Sequence, residues 1–238
     1  MTEQVAEELR PVPWGWYGGI VVVTVLALVA VWANFDSIPD PMPVHWGPGG
    51  EADRFTDKSL GTAFLLVGLG PVILLAAGAG SAALIQSQAR ADGYPKRTAH
   101  ELNRRRMGAN LQQPALGALM LVLAVLMAAS TAGSLLGWLG GVPMTVLLIG
   151  GIIALLGWFF VRMKRIGEHL DEVYPPDEPR ERLKWGMFYF NPDDERTVID
   201  MDGGSMTTFN FARPAAWGIL AALLAPVALV VVLAVMTG

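Results

Sequence analysis

The sequence predicts an all-α integral membrane protein with five transmembrane helices, a structured exterior loop and a small cytoplasmic β-meander. Three observations lead there. The 238 residues are 53% hydrophobic and 16% charged, against roughly 25% charged in soluble domains. Five apolar runs, 14–34, 60–85, 111–132, 141–161 and 214–236, contain no Asp, Glu, Lys or Arg. Each is long enough to cross a hydrocarbon core of ~30 Å, which takes about 20 helical residues. Finally, 15 of the 17 Lys and Arg fall in the tail before the first run, in the connector after the second and in the segment after the fourth. Cytoplasmic loops carry that excess, so the N-terminus is expected inside and the C-terminus outside the membrane.

The first run is too long for the apolar part of a signal peptide, and Glu3, Glu7 and Glu8 precede it. It reads as a span that opens the first helix pair, 14–86. Trp14, Trp16, Tyr17 and Trp32 sit at its ends, where amphipathic rings favour the headgroup level.

The loop 35–59 is expected outside, with five acids and two bases. Pro39, Pro41 and Pro43 each fix their own φ and bias the preceding residue toward extended geometry. Residues 37–44 should therefore form a semi-rigid extended strut. Gly47-Pro48-Gly49-Gly50 reads as a turn. Thr56, Asp57 and Ser59 are placed to cap the second helix.

In that second helix Pro71 should introduce a kink, while Gly68, Gly70, Gly78 and Gly80 permit close helix approach. Residues 87–110 form a basic connector, with Arg104-Arg105-Arg106 expected against anionic headgroups and His100 in solvent. The second helix pair is 111–161, with Gly150 and Gly151 as a further close-approach site. Residues 162–174 should prolong the fourth helix until Pro175-Pro176 ends it. Within the cytoplasmic segment 162–213, residues 185–191, 197–201 and 205–211 read as three strands separated by turns. The last span is 214–236.

Chemistry concentrates in the exterior loop. His45, Glu51 and Asp53 could ligate a divalent metal, the candidate cofactor, with water completing the shell. A His beside a carboxylate could also serve as an acid–base pair. The simpler reading is that His45 and Asp53 hydrogen-bond each other or the loop backbone and lock the loop's shape. A negative loop suits a cation or a basic peptide, with Trp46 and Arg54 flanking the contact. The absence of Cys excludes disulfides and thiolate chemistry. No serine-nucleophile, zinc-protease or phosphate-loop pattern is present.

Two stretches carry a resemblance. Pro39-Asp40-x-x-Pro43-Val44-His45-Trp46, followed by Gly50-Glu51-x-Asp53-Arg54-Phe55-x-x-Lys58, resembles an uncharacterised bacterial membrane domain, a domain of unknown function. That domain forms the first helix pair of Sdp-type toxin-immunity proteins. The resemblance covers about residues 20–85 and implies a non-enzymatic immunity or signalling role, with an exterior peptide or toxin as partner. Tyr189-x-Asn191-Pro192-x-Asp194-x-Arg196, followed by Gly204-x-x-x-Thr208-x-Asn210-Phe211-Ala212, is similar to an uncharacterised C-terminal module over about 185–213. Partners expected from the residues are the lipid bilayer and a cytosolic or membrane protein at 185–211; nucleic acid is not expected. The alternatives are a metal-assisted membrane enzyme acting through His45, Glu51 and Asp53, and an accessory subunit of a transporter.

Overall fold

A computed structural model describes residues 6–47, 50–90, 98–138, 141–175, 183–184, 188–201 and 206–221, without the side chains of 141–144, 147, 200–201 and 206–207. The chain is mostly helical. Its elements are α1 (Gly15–Ala33), β1 (Met42–Trp46), β2 (Ala52–Thr56), α2 (Leu60–Arg90), α3 (Ala99–Leu135), α4 (Gly141–Val173), β3 (Leu183–Lys184), β4 (Phe188–Tyr189), β5 (Val198–Met201) and β6 (Met206–Phe209). They divide between two units. One comprises Glu7–Ala91 with Arg106–Leu170; the other comprises Met1–Ala6, Asp92–Arg105 and Asp171–Gly238.

In the first unit, α1, α2 and α3 are each long and apolar enough to cross a membrane. A helix apolar on all sides needs an apolar environment on all sides. Protein supplies only part of it: 22% of the most apolar stretch of α1 and of α2 is buried, and 33% of that of α3. Val22 and Leu26 on α1 and Leu65 and Ile73 on α2 are largely exposed. Lipid is the solvent that accommodates such surfaces, and the chain is read as a membrane protein. The fourth run lies within helix α4. The fifth is helical over 214–221, and its remainder lies outside the described residues.

Glycines let these helices meet. A Cβ added at Gly117 would lie 2.6–2.7 Å from the Trp16 side chain, and one at Gly78 would lie 2.8 Å from Met120 Cγ and 3.0 Å from the Tyr17 ring. Small residues are what allow backbones to approach in lipid. Trp16 and Tyr17 thus pack against α2 and α3, rather than serving only as interfacial anchors; Tyr17 is buried with Ile20, Ala82 and Ala124. Gly68 approaches Leu28, Gly70 meets Met127 and Gly151 meets Leu126, while Gly80 and Gly150 face open space.

Both ends of the connector differ from expectation. Helix α2 continues to Arg90 and α3 starts at Ala99. The α3 start is a capping box: Thr98 Oγ1 accepts from Glu101 N–H at 3.2 Å, and Glu101 accepts from Thr98 N–H at 2.7 Å. At its far end, Gly137 takes φ +67. Trp138 N–H donates to Gly133 O and Gly137 N–H to Ser134 O, a Schellman closure.

In the second unit, Arg104 and Arg105 are buried instead of facing headgroups. Arg104 donates to Asp171 at 2.6 Å and to the Tyr174 carbonyl. His100, expected in solvent, lies 2.7 Å from Pro175 O. The guanidinium of Arg104 meets its charge requirement on the prolonged α4, so it does not need lipid phosphate.

In the β segment, residues 185–187 of the expected first strand lie outside the described residues, and the described ones do not pair as a three-strand meander. They form two short antiparallel pairs, β3–β4 and β5–β6. They are joined by a parallel bridge between Tyr189 and Asn210. The chain between β4 and β5 closes into a polar knot around Asn210. Asn210, fully buried, donates to Asn191 O at 2.8 Å and Asp194 O at 2.9 Å. It accepts from Asn191 N–H and Ala212 N–H.

Candidate functional site

The loop after α1 is folded and docked. A 3₁₀ turn at Phe35–Ser37 leads to Asp40-Pro41, whose peptide bond is cis. The expected strut is therefore bent there, and β1 and β2 form an antiparallel hairpin. Ile38 and Met42 are buried in one cluster with Val31, Ala63, Val67 and Leu135. Val44 and Trp46 pack against the same cluster. The hairpin thus sits on the ends of α1, α2 and α3 through its apolar side chains.

Lys58 fastens the loop from the other side. Its ammonium donates to Asp36 O at 3.1 Å and Ile38 O at 2.7 Å, and it lies 5.0 Å from the centre of the Phe35 ring. Ser59 then caps α2, accepting from Thr62 N–H at 3.1 Å.

The pairing of β1 with β2 is irregular. Pro43 faces Phe55, His45 faces Arg54, and Trp46 faces Ala52. Val44 and Asp53 are the extra residues at the two register shifts. A bulge re-aims side chains, and here it accompanies the central contact: His45 Nδ1 lies 2.6 Å from Asp53 Oδ1. A carboxylate only accepts, so Nδ1 carries the proton and Nε2 is left for an outside group. The two side chains are 51% and 52% exposed, so the pair is open to solvent. The imidazole hydrogen bond holds the Asp53 carboxyl below its ordinary pKa, assisted by the charges of His45 and Arg54. Gly47 lies beside the pair, where an added Cβ would make ordinary contact with Asp53 Oδ2 at 3.4 Å. The turn closes by Gly47 N–H donating to Glu51 O at 2.9 Å, and Gly50 takes φ 75.

Of the residues picked out by sequence, His45 and Asp53 come together, and Arg54 lies opposite His45 in the ladder. Trp46 is partly committed to the core. Glu51 stays exposed at the turn. Among the described residues no three His, Asp or Glu side chains are grouped to hold a metal ion. Of the expected metal set His45, Glu51 and Asp53, the imidazole and the Asp53 carboxylate are in contact, and the Glu51 backbone carbonyl closes the turn. The pair can accept a proton or hydrogen bond at Nε2, or present a cation when protonated.

Lys58 escaped the reading of site residues. Its signal was a cation placed just before a helix start and after a stretch of prolines that removes backbone donors but leaves free carbonyls. Also unread were Gln86 and Gln113, both buried. Gln113 donates to Gln86 at 2.6 Å, and Gln86 donates to Arg10 O at 3.0 Å. The segment before α1 is held along the same unit, with Asn110 accepting from Arg10 N–H and donating to Glu8 O.

The family described as Domain of unknown function (DUF1648) matches residues 22–70, from within α1 through the hairpin into α2. No curated protein and no solved structure matches the chain.

Proposed function

We propose that this chain is a non-enzymatic immunity or sensor protein of the bacterial plasma membrane, with five spans, its N-terminus inside and the hairpin outside. The hairpin binds a basic exterior peptide of toxin type through His45, Trp46, Glu51, Asp53 and Arg54. One observation carries this reading: a solvent-open His–Asp pair on a hairpin fastened by Lys58, Ile38 and Met42. A fixed platform loses little conformational entropy on binding. Three net negative charges in 35–59 would steer a basic ligand toward it. The resemblance to the first helix pair of Sdp-type immunity proteins supports the same role.

The test is protection of cells. A strain lacking the gene is challenged with a panel of envelope-active cationic peptides, then complemented with the wild-type chain, His45→Ala or Asp53→Asn at equal membrane abundance. Wild type should restore resistance to at least one peptide, and both variants should fail to. Equal sensitivity of the deletion and parent strains to every peptide would rule the role out.

A further inference from the structure

We propose that the β segment rests on a lipid bilayer, with Phe188, Phe190, Phe209, Phe211 and Trp217 lying in the headgroup layer. The proposal rests on reading 214–236 as a membrane span. Four of the five form a connected ladder, and Phe190 lies two residues from Phe188 along the chain. Phe211 meets Phe188, Phe209 and Trp217 edge-on, with ring centroids at 5.1, 6.3 and 5.3 Å. The Trp217 indole N–H donates to Phe211 O at 3.1 Å, which ties the ladder to the helical start of the fifth apolar run. These rings stay partly open to solvent: Phe188 is 37% exposed, Phe190 40% and Trp217 57%. Large rings left in water on so small a β unit need a covering surface.

Chain geometry selects lipid as that cover. Phe211 precedes the apolar run by three residues, so it lies within about 10 Å of the run's first Cα. The headgroup layer on each side of the hydrocarbon is about 5–8 Å deep. A span that begins at residue 214 therefore holds the ladder close to the headgroup boundary, where Trp is enriched and exposed Phe can enter the acyl edge. Lys184 fits the same boundary. Its ammonium lies 4.1 Å from the centre of the Phe190 ring, an apolar stem with a charged tip suited to phosphate. A protein partner would have to displace the bilayer from this face.

The chain contains no Cys, so Phe190→Cys and, separately, Phe188→Cys can carry a single environment-sensitive fluorophore. Val227→Cys, inside the run, and Asp193→Cys, in the exposed polar turn, serve as references. The labelled full-length proteins are placed in vesicles of phosphatidylglycerol and phosphatidylethanolamine. Probes at 188 and 190 should emit to the blue of the probe at 193 and be quenched by nitroxide lipids, with little quenching by aqueous iodide. If 227 is lipid-quenched while 188 and 190 behave like 193, the span stands and this proposal is overturned. Should 227 also behave like 193, the span reading fails and the proposal falls with it. Shielding at 188 and 190 that needs added cytosolic protein would likewise overturn it in favour of protein docking.

Discussion

At the scale of single residues, the hairpin pair and the Asn210 knot differ in what they can carry. His45 and Asp53 are half exposed, so solvent screens their attraction and the pair adds little to global stability. Its effect is local and depends on pH. The Asp53 pKa is lowered in the folded hairpin. Its contribution is therefore complete above the unfolded carboxylate value of about 3.9. It disappears as pH falls through the lower folded value. Amide hydrogen exchange across β1 and β2 should stay slow from neutral pH to about 5 and quicken below about 4 after correction for intrinsic rates. In Asp53→Asn the acid step should vanish; an identical step in the variant would assign it elsewhere. Asn210 is fully buried and uses both donors and its acceptor oxygen. Asn210→Ala leaves several groups unsatisfied, at ~1–3 kcal/mol each. That loss should make 183–213 cleavable by protease while the apolar helices stay resistant. Asp194, held well below the usual carboxylate range by its Arg196 hydrogen bonds, closes the same knot. Retained protease resistance in Asn210→Ala would mean that the knot is not what holds this segment.

At the scale of elements, two fastenings can be separated. Lys58→Met keeps the apolar stem but leaves the Asp36 and Ile38 carbonyls without their ammonium. The loop should then open locally, seen as faster exchange at 35–46, with α1 and α2 unchanged. Unaltered exchange there would show that Ile38 and Met42 suffice. Helix contact gives a second contrast. Gly117→Leu drives a side chain into Trp16, whereas Gly80→Leu enters open space. Overpacking costs about 1–3 kcal/mol, so Gly117→Leu should lower the unfolding temperature in detergent and Gly80→Leu should not. These elements also show what was legible in the sequence. Apolar runs without charges predicted α1, α2 and α3, because length and composition alone decide whether a helix suits lipid. A hydrogen bond of His45 and Asp53, to each other or to the loop backbone, was legible from the turn that separates them; the strand β2 was not. The bulges were not legible, since a register shift follows from packing Met42 and Trp46 on helix ends. Nor was the burial of Arg104, which depends on where Asp171 arrives from a distant helix. The meander failed for a related reason: local strand propensity is silent about the Asn210 contacts that join β4 to β6.

For the whole molecule, the charge pattern and the apolar surface make one joint demand. The exposed sides of α1, α2 and α4 are lined by Val, Leu, Ile and Phe, which removes water as their solvent. Moving Lys and Arg across a bilayer is costly, so the proposed five-span orientation is the one that would keep 15 of 17 on the side of synthesis. With α1 to α4 all crossing, the count becomes five only if the fifth run crosses too, which makes position 238 the decisive one. With no native Cys to mask, Asp57→Cys and Gly238→Cys should react with an impermeant maleimide on intact cells. Thr98→Cys should react only after lysis. Labelling of 57 and 98 as stated but of 238 only after lysis would make the fifth run re-entrant or interfacial and the span count four. Labelling of 98 on intact cells and of 57 only in lysate would invert the protein, turn the hairpin to the cytoplasm and remove an exterior peptide from consideration as its ligand.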